Sequence, residues 1–183
     1  MVLIGDVAND SVRAMLRAAT AGDHARLDAL VERFDLTRRE GYRAFLSAHA
    51  RLLPALEAAI AEAPLIPDWP ERRRAAALAR DMRALEITPF PVPIAPPSLA
   101  TVAERIGAIY VLEGSRLGGA MLSRTVARAL PQAPRAFLDH GAGKGLWPRF
   151  LGWLEARGRA ERLDAMIAGA RATFAGYIEA FRG

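Results

Sequence analysis

The sequence predicts an all-α fold, and three observations carry that expectation. Alanine, leucine, arginine and glutamate dominate, while the β-branched residues that favour strands are few. Apolar residues recur at three- and four-residue steps, the spacing of one helix face. No run alternates apolar and polar residues as a half-buried strand would. At 183 residues the chain is expected to form one domain, residues 1–183, long enough to bury a full core.

The first helix is expected to start at Asn9, Asp10 or Ser11, each able to cap the free N–H groups of a first turn. Its stripe is Val12, Met15, Leu16, Ala19, Leu27, Leu30, Val31 and Phe34. Thr37-Arg38-Arg39-Glu40 reads as a capping box opening a second helix, with Tyr42, Phe45, Leu46, Leu52, Leu53, Leu56 and Ile60 inward. Pro64 and Pro67 interrupt the pattern. A third helix follows Asp68-Trp69-Pro70, with Leu78, Met82 and Leu85 on one face and solvated arginines on the other. Residues 87–98 hold Pro89, Pro91, Pro93, Pro96 and Pro97, which predicts an extended connector inside the domain. Ser98 is expected to cap the next helix, which runs to about Leu130 and stops before Pro131 and Pro134. Short helices near Ala136 and over Trp147 to Ala156 follow, and a last helix spans about Ala160 to Phe181.

The charge balance narrows the function. There are 25 Lys+Arg against 20 Asp+Glu, and Lys144 is the sole lysine. The cations are dispersed among acids along several helices and are not gathered into a block with exposed aromatics, so nucleic acid is not an expected partner. With no cysteine, disulfides, thiolate metal sites and cysteine catalysis are excluded. No long uncharged apolar span and no signal-peptide pattern occurs, so a cytoplasmic protein without a membrane partner is expected.

The most unusual segment is Tyr110-Val111-Leu112-Glu113-Gly114-Ser115-Arg116-Leu117-Gly118-Gly119-Ala120-Met121-Leu122. Each glycine inside a helix costs about 1 kcal/mol against alanine. Gly114 and Gly118 share a face, so close packing of another helix, a kink, or a bulky ligand against that backbone is expected. The first helix supplies a second feature. Arg17 precedes His24 by seven residues, within about 20° around the helix and about 10 Å along it. Asp28 lies one turn after His24. A metal-bound imidazole usually gives its other N–H to a carboxylate or carbonyl, which Asp28 can supply, and an arginine fork suits an anionic group of the same ligand.

On those two segments, Leu16-Arg17-Ala18-Ala19-Thr20-Ala21-Gly22-Asp23-His24-Ala25-Arg26-Leu27-Asp28 and the run from Tyr110 to Gly119, the chain resembles the bacterial biliverdin-producing heme oxygenases, including the phytochrome-associated kind. Phe137 and Trp147-Pro148-Arg149-Phe150 extend the likeness over nearly the whole chain. The resemblance implies a multi-helix bundle with heme b between the first helix and a glycine-kinked distal helix. His24 stands in the position of the axial iron ligand, and Gly114, Gly118 and Gly119 line the distal side. It also implies oxidative cleavage of heme, substrate and cofactor at once, to biliverdin, CO and free iron. The reaction uses O2 and electrons from a ferredoxin or a flavoprotein reductase, and a bacteriophytochrome is a possible receiver of the product.

Two departures from the family matter. Animal members carry an aspartate after the first distal glycine, where this chain has Ser115, so backbone carbonyls, water and Arg116 are expected to share proton delivery. Where many relatives bind propionates with lysine, the candidates here are Arg17, Arg149 and Lys144, with Tyr110 either bonding nearby or merely packing. His49 reads as a core histidine and His140 as a loop residue. A heme carrier or sensor on the same scaffold, and a helical interaction module, are the alternatives.

Overall fold

The computed structural model describes residues 11–62 and 65–183. The expected cap residues Asn9 and Asp10, and Pro64, lie outside the described residues. Those residues form seven helices and no strand: α1 Val12–Val31, α2 Arg39–Ala61, α3 Trp69–Arg72, α4 Ala75–Ala84, α5 Val102–Ala129, α6 Leu146–Gly158 and α7 Leu163–Arg182. None of them is long and apolar enough to cross a membrane.

Local chemistry sets the helix ends, and in several places it differs from the sequence expectation. Ser11 caps α1 by accepting from the Ala14 N–H, and the helix stops at Val31, before Phe34. The capping box expected at Thr37 does not form. Asp35 accepts from both the N–H and the hydroxyl of Thr37, which leaves Arg38 as an uncapped N-terminal residue of α2. Such local Asx bonds compete directly with a cap. At α5 the box belongs to Thr101 and Glu104, not to Ser98. Thr101 accepts from the Glu104 N–H while Glu104 accepts from the Thr101 N–H, at 3.1 and 2.8 Å. Ala136 lies in a series of turns instead of a helix. The Asp81 carboxylate holds those turns by accepting from the Ala136 and Phe137 N–H groups.

One apolar core draws on both sides of the extended segment 87–98, from Tyr42, Phe45, Leu52 and Leu56 of α2 to Ile106 and Ile109 of α5, Phe150 of α6 and Tyr177 of α7. The segment itself is tied down by the Ile94 N–H, which donates to the Arg51 carbonyl at 2.8 Å. The largest helix contacts join α7 to α5 and to α1, whereas α1 and α5 pack little against each other. Close approach of α5 and α7 depends on glycine. A Cβ on Gly107 would stand 2.0 Å from the Met166 carbonyl oxygen, and one on Gly169 would stand 2.1 Å from that of Glu104. α7 is therefore a shared support along which α1 and α5 lie side by side.

Candidate active site

The glycines of the central α5 segment do not serve helix packing. A Cβ on Gly118 would meet nothing within 4 Å, and one on Gly114 would just touch the Trp147 ring at 4.0 Å. Gly119 is buried but still unpressed, its Cβ position 3.7 Å from the Leu138 carbonyl oxygen. The contrast with Gly107 and Gly169 removes close helix packing as the reason for Gly114 and Gly118: a helix lies on the first two, and almost nothing lies on the second two. Leu117 and Met121 share the Gly114 face, at three and seven residues further on, and are 52% and 69% exposed. An apolar side-chain pair flanking bare backbone makes a flat, lipophilic surface of the kind that buries a planar ligand.

α1 brings its polar groups to the same region. His24 is exposed, with its Nδ1 2.8 Å from Asp28 Oδ2 and its ring 5.9 Å from Phe174 of α7 in an edge contact. If the ring is neutral, Nδ1 donates to Asp28 and Nε2 keeps a free lone pair, the state an axial ligand needs. Leu27 of α1 and Tyr110 of α5 pack on the same small cluster of Val111, Ala170 and Phe174. Burial raises the Tyr110 phenol above its ordinary pKa, and the nearby Arg13 and Arg17 cations and the Thr20 hydroxyl oppose that rise. The Arg13 guanidinium lies over the Trp147 ring at 5.6 Å. Arg17 thus lies by Tyr110, while His24 and Asp28 stand further along α1, joined to the same cluster through Phe174.

Other candidates fall elsewhere. Arg149 pairs with Glu71 at 3.1 Å and Asp68 at 3.2 Å, and Lys144 stands exposed on the turn before α6. Arg116 is held by Glu113, with contacts of 2.9 and 2.8 Å, and donates to the His140 carbonyl at 3.2 Å. The guanidinium beside Ser115 is instead that of Arg74, which donates to the Ser115 hydroxyl at 2.8 Å and to the Leu112 carbonyl at 3.1 Å. The Ser115 hydroxyl donates to the same carbonyl at 2.7 Å. His140 is half-buried, and desolvation together with Arg116 and Arg74 holds its ring down to about 4.

Sequence reasoning missed the buried charges altogether. Arg72 and Arg74, expected on a solvated face, are enclosed, because the chain breaks from helix at Arg73 and turns both side chains inward. Glu57 accepts from the N–H groups of Arg74 and Ala75, and burial raises its carboxyl pKa despite those bonds. Arg13, Leu117 and Met121 were also missed, although each sits one helical step from a residue that was found. A cavity of about 440 Å³ lies between the C-terminal half of α5 and residues 135–148, lined by Leu117, Leu138, His140 and Trp147 among others. None of its lining comes from α1, but Leu117 and Trp147 also border the Gly114 face, and Arg13 of α1 lies over the Trp147 ring.

Comparison with known proteins gives a consistent result. A curated protein from Xanthomonas campestris pv. campestris (strain 8004), named heme oxygenase, is 38% identical over 146 residues, covering 73% of this chain and 84% of its own. A crystal structure of the NO- and CO-bound heme oxygenase from Neisseria meningitidis has the same fold at a TM-score of 0.74 and 26% identity, covering 94% of this chain and 91% of that one. No model of a known protein family matches the sequence.

Proposed function

This chain belongs to the heme oxygenase family, and from that premise we propose that heme lies between α1 and α5 with His24 as its axial ligand. The observation that carries this placement is the pair of open glycines: a Cβ on Gly118 would meet nothing within 4 Å, and one on Gly114 only the edge of the Trp147 ring of α6. The donor set fits the group. A neutral imidazole with a carboxylate on its second nitrogen suits iron, and a Cβ-free, apolar backbone surface suits a porphyrin face.

Bound heme supplies the oxidative chemistry, in which the ring is opened to biliverdin with loss of CO and iron. The chain supplies orientation. Asp28 fixes the tautomer and direction of His24. Gly114 and Gly118 admit the ring close to the helix axis, whereas Gly119, expected on the same side, is buried toward Leu138; Leu117 and Met121 exclude water from the rim. Arg17, with Tyr110 and Arg13 beside it, is placed to pair with propionates; guanidinium forks suit carboxylates. Arg149 and Lys144 are secondary candidates, the first already engaged by Asp68 and Glu71. Proton supply runs along the Ser115 edge of the glycine face, where Arg74 and Ser115 share the Leu112 carbonyl. Arg116 acts at one remove, through Glu113. The reaction takes O2 and electrons from a ferredoxin or flavoprotein reductase in the cytoplasm, and a bacteriophytochrome is a fitting acceptor of the product.

Titration with hemin tests the placement. The native chain is expected to give a saturable, histidine-ligated spectrum that H24A loses and H49A keeps; a ligated spectrum undiminished in H24A refutes the axial assignment.

A further inference from the structure

Glu113 precedes the first open glycine and is one of the most completely buried charges among the described residues. Its side chain is 1% exposed and meets two guanidiniums, those of Arg72, which is fully buried, and Arg116, which is 9% exposed. The contacts are dense. One carboxylate oxygen accepts from Arg72 Nη1; the other accepts from Arg116 Nε and Nη2 at 2.9 and 2.8 Å. Arg72 is itself fixed by Asp68, at 2.6 and 2.8 Å, and donates to the Leu146 carbonyl at the start of α6. Arg116 donates to the Arg72 and His140 carbonyls. One carboxylate thus ties α5 to α3, to the turn at His140 and to α6.

A network of this kind is a poor way to gain stability. Desolvating three charges offsets most of their attraction, and apolar side chains of the same volume commonly do as well or better. What it supplies is a fixed position. Consecutive residues on a helix point about 100° apart, so Glu113 and Ser115 lie on either side of Gly114. Arg74 holds the Ser115 side and the Arg72–Glu113–Arg116 network holds the other. The turn between them has no side chain at Gly114 or Gly118 to anchor it, and almost nothing stands where one would be. Glycine there lets a ring approach but also lets the backbone wander.

We infer that Glu113 is a positioning residue: with Arg72 and Arg116 it fixes the glycine turn of α5 at the height over α1 that heme requires. This rests on the heme placement proposed above, and it adds a requirement that the open glycines alone do not make. Glu113 acts through the backbone of Gly114 and not by contact with the ring.

The test is amide hydrogen exchange of the chain without heme, followed by hemin titration, for the native protein, E113Q and E113D. E113Q keeps the side-chain shape, and both arginines retain their other acceptors. Exchange over residues 114–121 should quicken at least tenfold in E113Q, with α2 unchanged, and hemin affinity should fall by a similar factor. E113D, which keeps the charge, should recover most of both. Unchanged exchange at 114–121, an equal rise throughout the molecule, or a local rise with undiminished hemin affinity would each overturn the inference. If E113Q does not fold, R116M is read by the same criteria, since Glu113 then keeps Arg72 as a partner. Failure of the native chain to bind hemin would instead defeat the heme placement, and the exchange result distinguishes the two.

Discussion

Replacing Gly118 by alanine should stabilise the heme-free chain, while a larger residue at the same place should abolish its use of heme. A Cβ at Gly118 meets nothing within 4 Å. Alanine therefore brings only its intrinsic advantage in a helix interior, about 1 kcal/mol. In a chain of 183 residues that corresponds to a rise of about 2–4 °C in the unfolding midpoint. Gly107 on the same helix is the control. A Cβ there would stand 2.0 Å from the Met166 carbonyl oxygen and 2.7 Å from the Ala170 nitrogen. Backbone atoms cannot rotate aside, so α5 and α7 would have to separate, and G107A should lose stability by about 2 kcal/mol or more. G118L should leave the fold intact, since its side chain starts in open space, but it covers the glycine face. Hemin affinity should then fall at least about tenfold, or about 1.4 kcal/mol. Thermal unfolding followed by far-ultraviolet circular dichroism reads the first two variants, and hemin titration reads the third. A lower midpoint for G118A, or native hemin affinity in G118L, would refute the reasoning.

Further outcomes follow from the same geometry. H24A removes an exposed side chain and should change stability by less than about 0.5 kcal/mol, while eliminating the ligated heme spectrum. D28N weakens the acceptor for His24 Nδ1 and should reduce hemin affinity by about 10- to 100-fold, with a spectral shift that a purely structural effect would not produce. T101A breaks the capping box of α5 and should cost about 1 kcal/mol in urea unfolding. His49 sets a pH dependence: burial, with the Arg74 cation adding to it, holds its ring down to about 3 from an ordinary 6.5. The unfolded chain takes up a proton below about pH 6.5 that the folded chain refuses. Stability should therefore be full above that pH and fall on acidification toward pH 3, by up to about 1.4 kcal/mol per pH unit. Urea unfolding of H49L between pH 6 and 4 should show a shallower slope than the native chain, and an identical slope would contradict the assignment.

The parts legible in the sequence are those whose signal is local. His24 and Asp28 are one turn apart, and the structure joins them at 2.8 Å. Gly114 and Gly118 share a face by spacing alone, and the helix that carries them extends close to its expected end, from Val102 to Ala129. Leu117 and Met121 carry the same spacing, but nothing in an apolar side chain says whether it is buried or left exposed. The buried arginines were illegible for a different reason. Arg72-Arg73-Arg74 resembles any basic helix surface, and only the break at Arg73, with Glu113 as acceptor for Arg72 and the Leu112 carbonyl and Ser115 hydroxyl as acceptors for Arg74, turns two of the three inward. Caps show how fine the competition is. Thr37-x-x-Glu40 has the pattern and loses it to Asp35, whereas Thr101-x-x-Glu104, with the same pattern, forms the box.

Heme held between α1 and α5 is expected to be consumed as its own substrate. Mixing the hemin-loaded chain with a reductant in air, while absorbance and released CO are followed, tests it most directly. The heme band should disappear as biliverdin absorbance and CO appear together, and H24A should yield neither. A heme band that persists through repeated reduction, or that bleaches without biliverdin or CO, would contradict it.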